Sequence, residues 1–330
     1  MIAAEAERSQ ARRVDYAVKV AAGFAALLVC FWFTGKFFGI TAGLAGYELS
    51  AVLSFAILLG PYWAFGFGLD RWLTTNLNPF TKTVAPLLLT LSYVDFTVPR
   101  DEFRWGLFLG LNGVVLAVSL LLASTRSPRP GWQDAASLTV LALAVELHWF
   151  DQAWPAPGLS AIPKLLFVDA GLYGYLVIRP IGGVGFDFRA RFTDLRVGLR
   201  EFVYYAPAAL IIGLGTGFLH AHRGGSVPQF AAGWFFTFFF VALPEELFFR
   251  GLLLNLLERI AGTRRALMIS SVVFGLAHFN KRAAFFNWRY VILAAIAGFF
   301  YGRAWLAQRR LVASSITHAT VDTVWSIWLR

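Results

Sequence analysis

The sequence predicts an all-α protein, a polytopic bundle of about 10–11 membrane-spanning helices with no sheet. Of its 330 residues, 58% are hydrophobic and only 15% are charged, whereas a soluble domain carries about 25% charged residues. Apolar segments recur along the whole chain at roughly the length needed to cross the hydrocarbon of a bilayer. None of them alternates with the period of a barrel strand, so helices are the spanning structure expected.

The spans follow one another with short polar connections. In order they are predicted at 16–35, 47–68, 82–95, 105–124, 135–150, 163–178, 202–219, 228–258, 265–279, 288–307 and 311–329. The third and fifth are short enough to be re-entrant or tilted. Arginines precede the first span and no small-residue cleavage site follows it, which predicts a retained signal anchor.

The distribution of basic residues predicts the orientation of the bundle. With the N-terminus in the cytoplasm, the inner connections carry about twice as many Lys and Arg residues as the outer ones. The loop 280–289, with Lys281, Arg282 and Arg289, opposes this pattern. The net charge of +10 is spread in short clusters between apolar runs, so no nucleic-acid partner is predicted. We therefore expect a multi-pass protein of a bacterial inner membrane with a cytoplasmic N-terminus.

The longest polar stretch, 179–201, contains five arginines and separates two apolar blocks. It fits either an ordinary basic loop or an amphipathic segment lying on the inner leaflet. In the second case its apolar side chains would face lipid; they are Phe186, Phe188, Phe192, Leu195 and Val197.

Two adjacent glutamates, Glu245 and Glu246, lie inside the apolar span 228–258. Carboxylates in a bilayer are costly unless they are paired or functional. Arg250 follows Glu246 by four residues, on the same helix face, so these two predict an ion pair. Glu245 points about 100° away and has no partner in its own helix, which makes it a candidate general base. Pro244 is expected to disturb the helix beside the pair.

Two later spans carry the histidines that such a base would need. At 1.5 Å per residue, Glu245, His278 and His318 reach overlapping heights in their helices. Between the two histidines, small residues recur at every fourth position, which allows close helix contact; these are Ala294, Gly298 and Gly302. The sequence thus predicts one polar pocket shared by three helices.

Three short motifs, EELFFR, FGLAH and HATVD, resemble in order and spacing those of the CAAX-protease and bacteriocin-processing (CPBP) family of intramembrane proteases. The resemblance implies an endopeptidase in which Glu245 is the general base and His278 helps it to hold the attacking water. His318 and the motif residue after it, Asp322, would form the oxyanion site, while Glu246 and Arg250 would support it. The resemblance divides the chain into two regions, a transmembrane region 1–200 without an assigned role and a catalytic transmembrane domain 201–330.

The third motif ends in Asp322, where the eukaryotic prenyl-protein members have Asn. An ionised carboxylate would repel an oxyanion, so Asp322 must be protonated or must act as an acceptor that orients His318. The second role is favoured because the two residues are four apart on one helix face.

Zinc is the alternative to a metal-free site. Glu245, His278 and His318 could supply the three protein ligands of a catalytic zinc ion, and the family is also described as metalloendopeptidases. No HExxH motif is present, and the family is described as well as using a glutamate without metal, so the prediction is no cofactor. Cys30 is the sole cysteine and excludes an intrachain disulfide.

The resemblance implies that the partners are the lipid bilayer and a membrane-embedded or lipidated protein or peptide substrate. Two other functions compete with proteolysis. The first is a non-catalytic binding or immunity protein of the same fold. The second is a membrane transporter, suggested by the number of spans and by the polar residues Glu146 and Asp169 inside apolar runs. The intact set of Glu245, His278 and His318 favours the enzyme.

Overall fold

The structure of the protein is a computed structural model that describes residues 2–156, 159, 162–222, 224–281 and 285–329, with side chains from residue 15 onward. Within these residues the regular structure is entirely helical, without a strand. This confirms the predicted all-α class. Arg282, in the loop that opposes the predicted orientation, lies outside the described residues.

We number the α-helices in chain order. They are α1 (Ile2–Phe37), α2 (Glu48–Gly66), α3 (Leu69–Asn76), α4 (Pro79–Val84), α5 (Leu91–Thr97), α6 (Trp105–Ala123), α7 (Trp132–Glu146), α8 (Ile162–Tyr173), α9 (Phe192–Gly215), α10 (Val227–Thr237), α11 (Leu243–Glu246), α12 (Asn255–Ala261), α13 (Thr263–Leu276), α14 (Trp288–Gln308) and α15 (Leu311–Trp328). Helices α10, α11 and α12 are parts of one continuous helix joined by π-helical turns.

Six helices among the described residues are long and apolar enough to cross a membrane. They are Asp15–Phe37, Glu48–Gly66, Trp105–Ala123, Phe192–Gly215, Val227–Ala261 and Trp288–Gln308. The protein is therefore an integral, multi-pass membrane protein. The boundary predicted between 200 and 201 lies inside α9, and the division into two regions stays a prediction.

The remaining predicted spans form shorter helices. The third, 82–95, is divided into α4, a 3₁₀ segment that contains Pro86, and α5, because a proline removes a backbone donor. Helices α7 and α13 have 15 and 14 residues, or about 21–23 Å at 1.5 Å per residue. Both are shorter than the hydrocarbon thickness of about 30 Å. They leave space at one end of the bundle, and the candidate site lies there.

Arginines from separate connections gather at the other end of the bundle. Arg179 donates to Asp134 at the start of α7 (2.8 Å), and Arg310 donates to Asp194 at the start of α9 (2.8 Å). Arg309 pairs with Glu258 near the end of α12. We call this the arginine-rich end, and its members are Arg129, Arg179, Arg189, Arg259, Arg309 and Arg310. Helices α7 and α13 both begin there.

The connection before α9 is tied to this end by Asp187. Burial raises the pKa of Asp187, but hydrogen bonds from Arg189 and the charge of Arg310 outweigh it and lower that pKa to about 2. The carboxylate therefore stays charged, and its contribution to stability is lost only as the pH falls from the ordinary carboxyl range towards this value.

Most of the apolar side chains of this connection face the protein. The rings of Phe186 and Phe188 lie 5.1 and 5.8 Å from that of Tyr62, and Val197 is buried. Phe192 and Leu195 remain exposed at the start of α9. The lipid-facing alternative therefore does not hold for three of the five side chains, because Phe186 and Phe188 pack on aromatic rings of α2 and Val197 packs with Ala304 and Ala313.

Close helix contact in the C-terminal part follows the small residues of α14, as predicted. A Cβ added to Gly302 would lie 2.4 Å from a side-chain carbon of Leu267 in α13. One added to Gly275 of α13 would lie 2.6 Å from the carbonyl oxygen of Val291 in α14. The two backbones approach closely because neither glycine has a side chain. This contact places α13 and its His278 against the core of the C-terminal helices.

Candidate active site

The two glutamates lie where the long helix departs from α geometry. Phe238–Ala242 and Leu247–Leu254 are π-helical, and the short α11 with Pro244, Glu245 and Glu246 lies between them. Pro244 lacks an N–H to donate, and the wider turns on either side accommodate that loss. π-Helical turns inside longer helices often mark functional sites.

Glu246 is fully buried and is held by the side chains of Arg250 and His318. Its Oε1 accepts hydrogen bonds from Arg250 Nη1 at 2.9 Å and from His318 Nδ1 at 2.8 Å. Arg250, also fully buried, donates through Nη2 to the carbonyl oxygen of Gly298 at 2.9 Å. The predicted Glu246–Arg250 ion pair is confirmed, and Glu246 also anchors the histidine of the third motif.

His318 is fixed on several sides. With Nδ1 on Glu246, its Nε2 lies 3.4 Å from Asp322 Oδ2 and 3.8 Å from Glu245 Oε2. The ring of Tyr301 stacks on the imidazole at a centroid distance of 4.5 Å. Asp322 thus lies beside His318 as the helix periodicity predicts, although Glu246 makes the shorter contact.

Glu245 has a counter-ion, contrary to the expectation of an unpaired carboxylate. Lys164 Nζ of α8 lies 2.6 Å from Glu245 Oε1. The prediction failed because it considered only the helix that carries Glu245, whereas Lys164 precedes it by 81 residues. The sequence did contain a signal, because Lys164 is a cation at the start of the predicted apolar span 163–178. A charged side chain in a membrane span is costly unless it is paired or functional, and this applies to Lys164 as it does to Glu245.

His278 follows the C-terminal end of α13 and is half-buried. Its Nδ1 lies 2.8 Å from the carbonyl oxygen of Phe274. A carbonyl can only accept, so Nδ1 carries a proton and donates it in this hydrogen bond. The rings of Phe274 and Tyr290 lie on either side, each with its centroid 4.9 Å away. This arrangement leaves Nε2 as the atom able to contact a water.

Two cavities meet at His278. The first, the Glu245 cavity, has a volume of about 350 Å³ and contains Lys164, Glu245 and His278 in its wall. The second, the His318 cavity, measures about 280 Å³ and is lined by His278, His318 and Asp322. The structure thus brings together the side chains that the sequence predicts to meet, with Lys164 added.

The Glu245 cavity opens at the end of the bundle opposite the arginine-rich end. Its rim holds Glu146, the last residue of α7, His148, two residues later, and Lys281, beyond the end of α13. Lys281 Nζ lies 3.7 Å from Glu146 Oε2 across this rim. Of the two polar residues that suggested a transporter, Glu146 therefore borders the cavity, whereas Asp169 is buried and lines neither cavity.

The side chains do not fit the zinc site considered from the sequence. Among the described residues, no group of three or more His, Cys, Asp and Glu side chains is arranged to hold a metal ion. The ammonium group of Lys164 already binds Glu245, and Nδ1 of His318 already makes a hydrogen bond with Glu246. A cation placed on Glu245 would be repelled by that ammonium group.

Comparison with known proteins assigns the part of the chain that carries the motifs. Residues 227–324 match the family model described as type II CAAX prenyl endopeptidase, Rce1-like. No curated protein and no solved structure gives a significant match to the chain. The match covers Glu245, His278, His318 and Asp322, and Lys164 lies outside it. Residues 227–324 are therefore similar to an Rce1-like type II CAAX prenyl endopeptidase domain, which is consistent with a CPBP family intramembrane protease.

Proposed function

We propose that this protein is an intramembrane endopeptidase that hydrolyses a peptide bond of a membrane-embedded or lipidated substrate with a water activated by Glu245 and His278. The observation that carries the proposal is the meeting of Glu245, His278 and His318, all within the matched residues 227–324, around two adjoining cavities. The Glu245 cavity also has an apolar floor that suits a substrate from the bilayer, formed by residues such as Leu141, Phe167 and Leu252.

The reaction begins with a water held between the free oxygen of Glu245 and Nε2 of His278. Glu245 takes a proton from the water while the water oxygen attacks the carbonyl carbon of the substrate. The carbonyl oxygen then bears a negative charge, which a proton on His318 Nε2 stabilises. When the C–N bond breaks, the proton on Glu245 passes to the leaving nitrogen. The products are a carboxylic acid and an amine, which become a carboxylate and an ammonium group when the acid proton passes to the amine.

Asp322 acts in this scheme by orienting His318. With Glu246 on Nδ1 and Asp322 3.4 Å from Nε2, carboxylate oxygens face both ring nitrogens of His318. Carboxylates accept hydrogen bonds, so this surrounding suits a doubly protonated ring. Such a ring presents a donor at Nε2 towards the developing oxyanion. Asp322 does not itself contact the oxyanion, which agrees with the orienting role favoured from sequence.

The proposed site works without a metal ion. We expect 1,10-phenanthroline or EDTA, added to the purified protein in detergent, to leave the rate of peptide cleavage unchanged, because Lys164 rather than a metal neutralises Glu245. Cleavage of a fluorescent peptide before and after dialysis against chelator measures this, with a zinc peptidase as positive control. Loss of activity that returns on adding zinc would contradict the metal-free mechanism.

The orientation expected from the basic residues places the arginine-rich end in the cytoplasm. The Glu245 cavity would then open on the non-cytoplasmic face, so water would enter from outside the cell. His148 at the cavity rim and Arg191 near the other end are both more than half exposed. They are matched positions for labelling in a Cys30→Ser background.

In sealed cells, a membrane-impermeant maleimide is expected to label His148→Cys but not Arg191→Cys, and permeabilisation should expose both. Mass shift on a gel measures the labelling. The reverse pattern would place the cavity on the cytoplasmic face and overturn the proposed orientation.

The function itself is tested by comparing membrane proteomes. Mass spectrometry of membranes from cells with the wild-type protein should reveal a peptide or protein with a shortened terminus, absent when Glu245→Gln replaces it. An identical set of termini, together with unchanged phenotype in Glu245→Gln and His278→Ala cells, would favour the binding or immunity protein. Accumulation of a solute in proteoliposomes without any cleaved product would favour the transporter.

A further inference from the structure

The N-terminal region contributes a charged side chain to the site of the family domain. Lys164 is the third residue of α8, within a part of the chain that the family model does not cover. Its Nζ lies 2.6 Å from Glu245 Oε1, and both residues line the Glu245 cavity. Their side chains are 22% and 19% exposed, so the pair is shielded from water on most sides.

Lys164 is the cation that neutralises the charge of Glu245. Glu246 is neutralised by Arg250, with His318 as a second partner. Among the described residues, the ion-pair partners of Glu245 are Lys164 at 2.6 Å and His318 at 3.8 Å. Without Lys164, Glu245 would keep only its 3.8 Å approach to His318, and an uncompensated buried charge is strongly unfavourable.

The contact also distinguishes the two oxygens of Glu245. Lys164 binds Oε1, while Oε2 is the oxygen nearest to His318 Nε2. A carboxylate fixed through one oxygen loses the rotation that would exchange the two. Oε2 therefore remains the oxygen that is free to take a proton from the attacking water, on the side of Glu245 that faces His318.

We propose that Lys164 is a positioning residue of the peptidase, which holds Glu245 by one oxygen and so directs the other towards the catalytic water. The inference rests on the proposed function. It gives the N-terminal transmembrane region a role, since α8 completes a site whose other members lie between 227 and 324.

The first test separates catalysis from substrate binding. Lys164→Met should lower kcat by about 10²-fold, the loss that a small misplacement of a catalytic group can cause, with KM changed less than about threefold. Lys164→Arg, which keeps the charge, should retain more activity than Lys164→Met. Lys82→Met is the matched control, because Lys82 also makes one 2.6 Å contact, to the carbonyl oxygen of Thr74 far from the site. It should keep the wild-type kcat.

A chemical restoration tests whether the ammonium group itself is required. The chain has one cysteine, Cys30, in α1, so Cys30→Ser with Lys164→Cys carries a single thiol at the site. Alkylation of the folded protein with 2-bromoethylamine installs an ammonium group on a side chain nearly as long as that of lysine. It should raise kcat at least about tenfold above that of the unmodified Lys164→Cys protein. Iodoacetamide, which adds a neutral group, should recover none. Thermal unfolding of each variant confirms that folded protein is compared.

The outcomes separate this inference from the proposed function. Suppose that the wild type cleaves peptide, that Glu245→Gln does not, and that Lys164→Met keeps the wild-type kcat. This result would overturn the role of Lys164 and leave the proposed peptidase function intact. Equal recovery by iodoacetamide would also overturn it, because shape rather than charge would then be sufficient. If Lys164→Met fails to fold, the test uses the kcat values of Lys164→Arg and of the two alkylated forms of Lys164→Cys instead. Equal cleavage by wild type and Glu245→Gln would remove the proposed function and this inference together.

Discussion

Glu245→Gln is expected to lower kcat for peptide cleavage by about 10²–10⁴-fold, the usual contribution of a general base. Glutamine has nearly the size of glutamate but cannot take the proton of the attacking water. The side chain can still accept a hydrogen bond from Lys164, so the change should affect KM much less than kcat. Steady-state cleavage of a fluorescent peptide by the purified protein in detergent measures both constants.

The control for this variant is Glu258→Gln. Glu258 is a glutamate of the same long helix, paired with Arg309 at the arginine-rich end, and its replacement should leave kcat unchanged. Circular dichroism and thermal unfolding should give folded protein for both variants. Wild-type cleavage by Glu245→Gln would remove the general base from the mechanism and favour a protein that only binds its partner.

Arg250→Met is expected to destabilise the protein by about 3–5 kcal/mol, because removing one member of a buried ion pair leaves the other charge uncompensated. Arg250 is fully buried, and its loss leaves Glu246 with His318 alone and the carbonyl of Gly298 without its donor. The position of His318 depends on Glu246, so peptide cleavage should fall as well. Denaturant unfolding in detergent measures the change in the free energy of unfolding.

Arg309→Met is the matched control for stability. Arg309 also forms an ion pair with a glutamate of the long helix, but its side chain is 47% exposed. Exposed pairs contribute about 1 kcal/mol or less, so the free energy of unfolding should change little. Equal stability of Arg250→Met and Arg309→Met would show that Glu246 is compensated by His318 without Arg250.

Fold class and the main site residues follow from local patterns. The all-helical class depends on the length and apolar character of each segment, which are properties of neighbouring residues. The Glu246–Arg250 pair and the nearness of His318 to Asp322 need only the helix period. The nearness of these polar residues was predictable because each has a fixed height in a helix of constant rise, although they line two adjoining cavities and not the single pocket expected.

Contacts between distant segments required the tertiary structure. Nothing in the sequence near Glu245 indicates Lys164, since the two meet only when α8 packs against the long helix. The same holds for Glu246, which binds His318 across 72 residues. The packing of Phe186 and Phe188 on Tyr62 likewise depends on a partner from α2. Periodicity states which way a side chain points, but only packing decides what it meets.

The sequence by itself determined that this is a helical membrane protein with an acidic pair, two histidines and an arginine at comparable depth. The tertiary structure decided which carboxylate is neutralised by which cation, and at which end of the bundle the cavity opens. The physical reason is the range of the interactions. Hydrophobic length and helix period act over a few residues, whereas ion pairs and cavities form between side chains that only the packed bundle brings together.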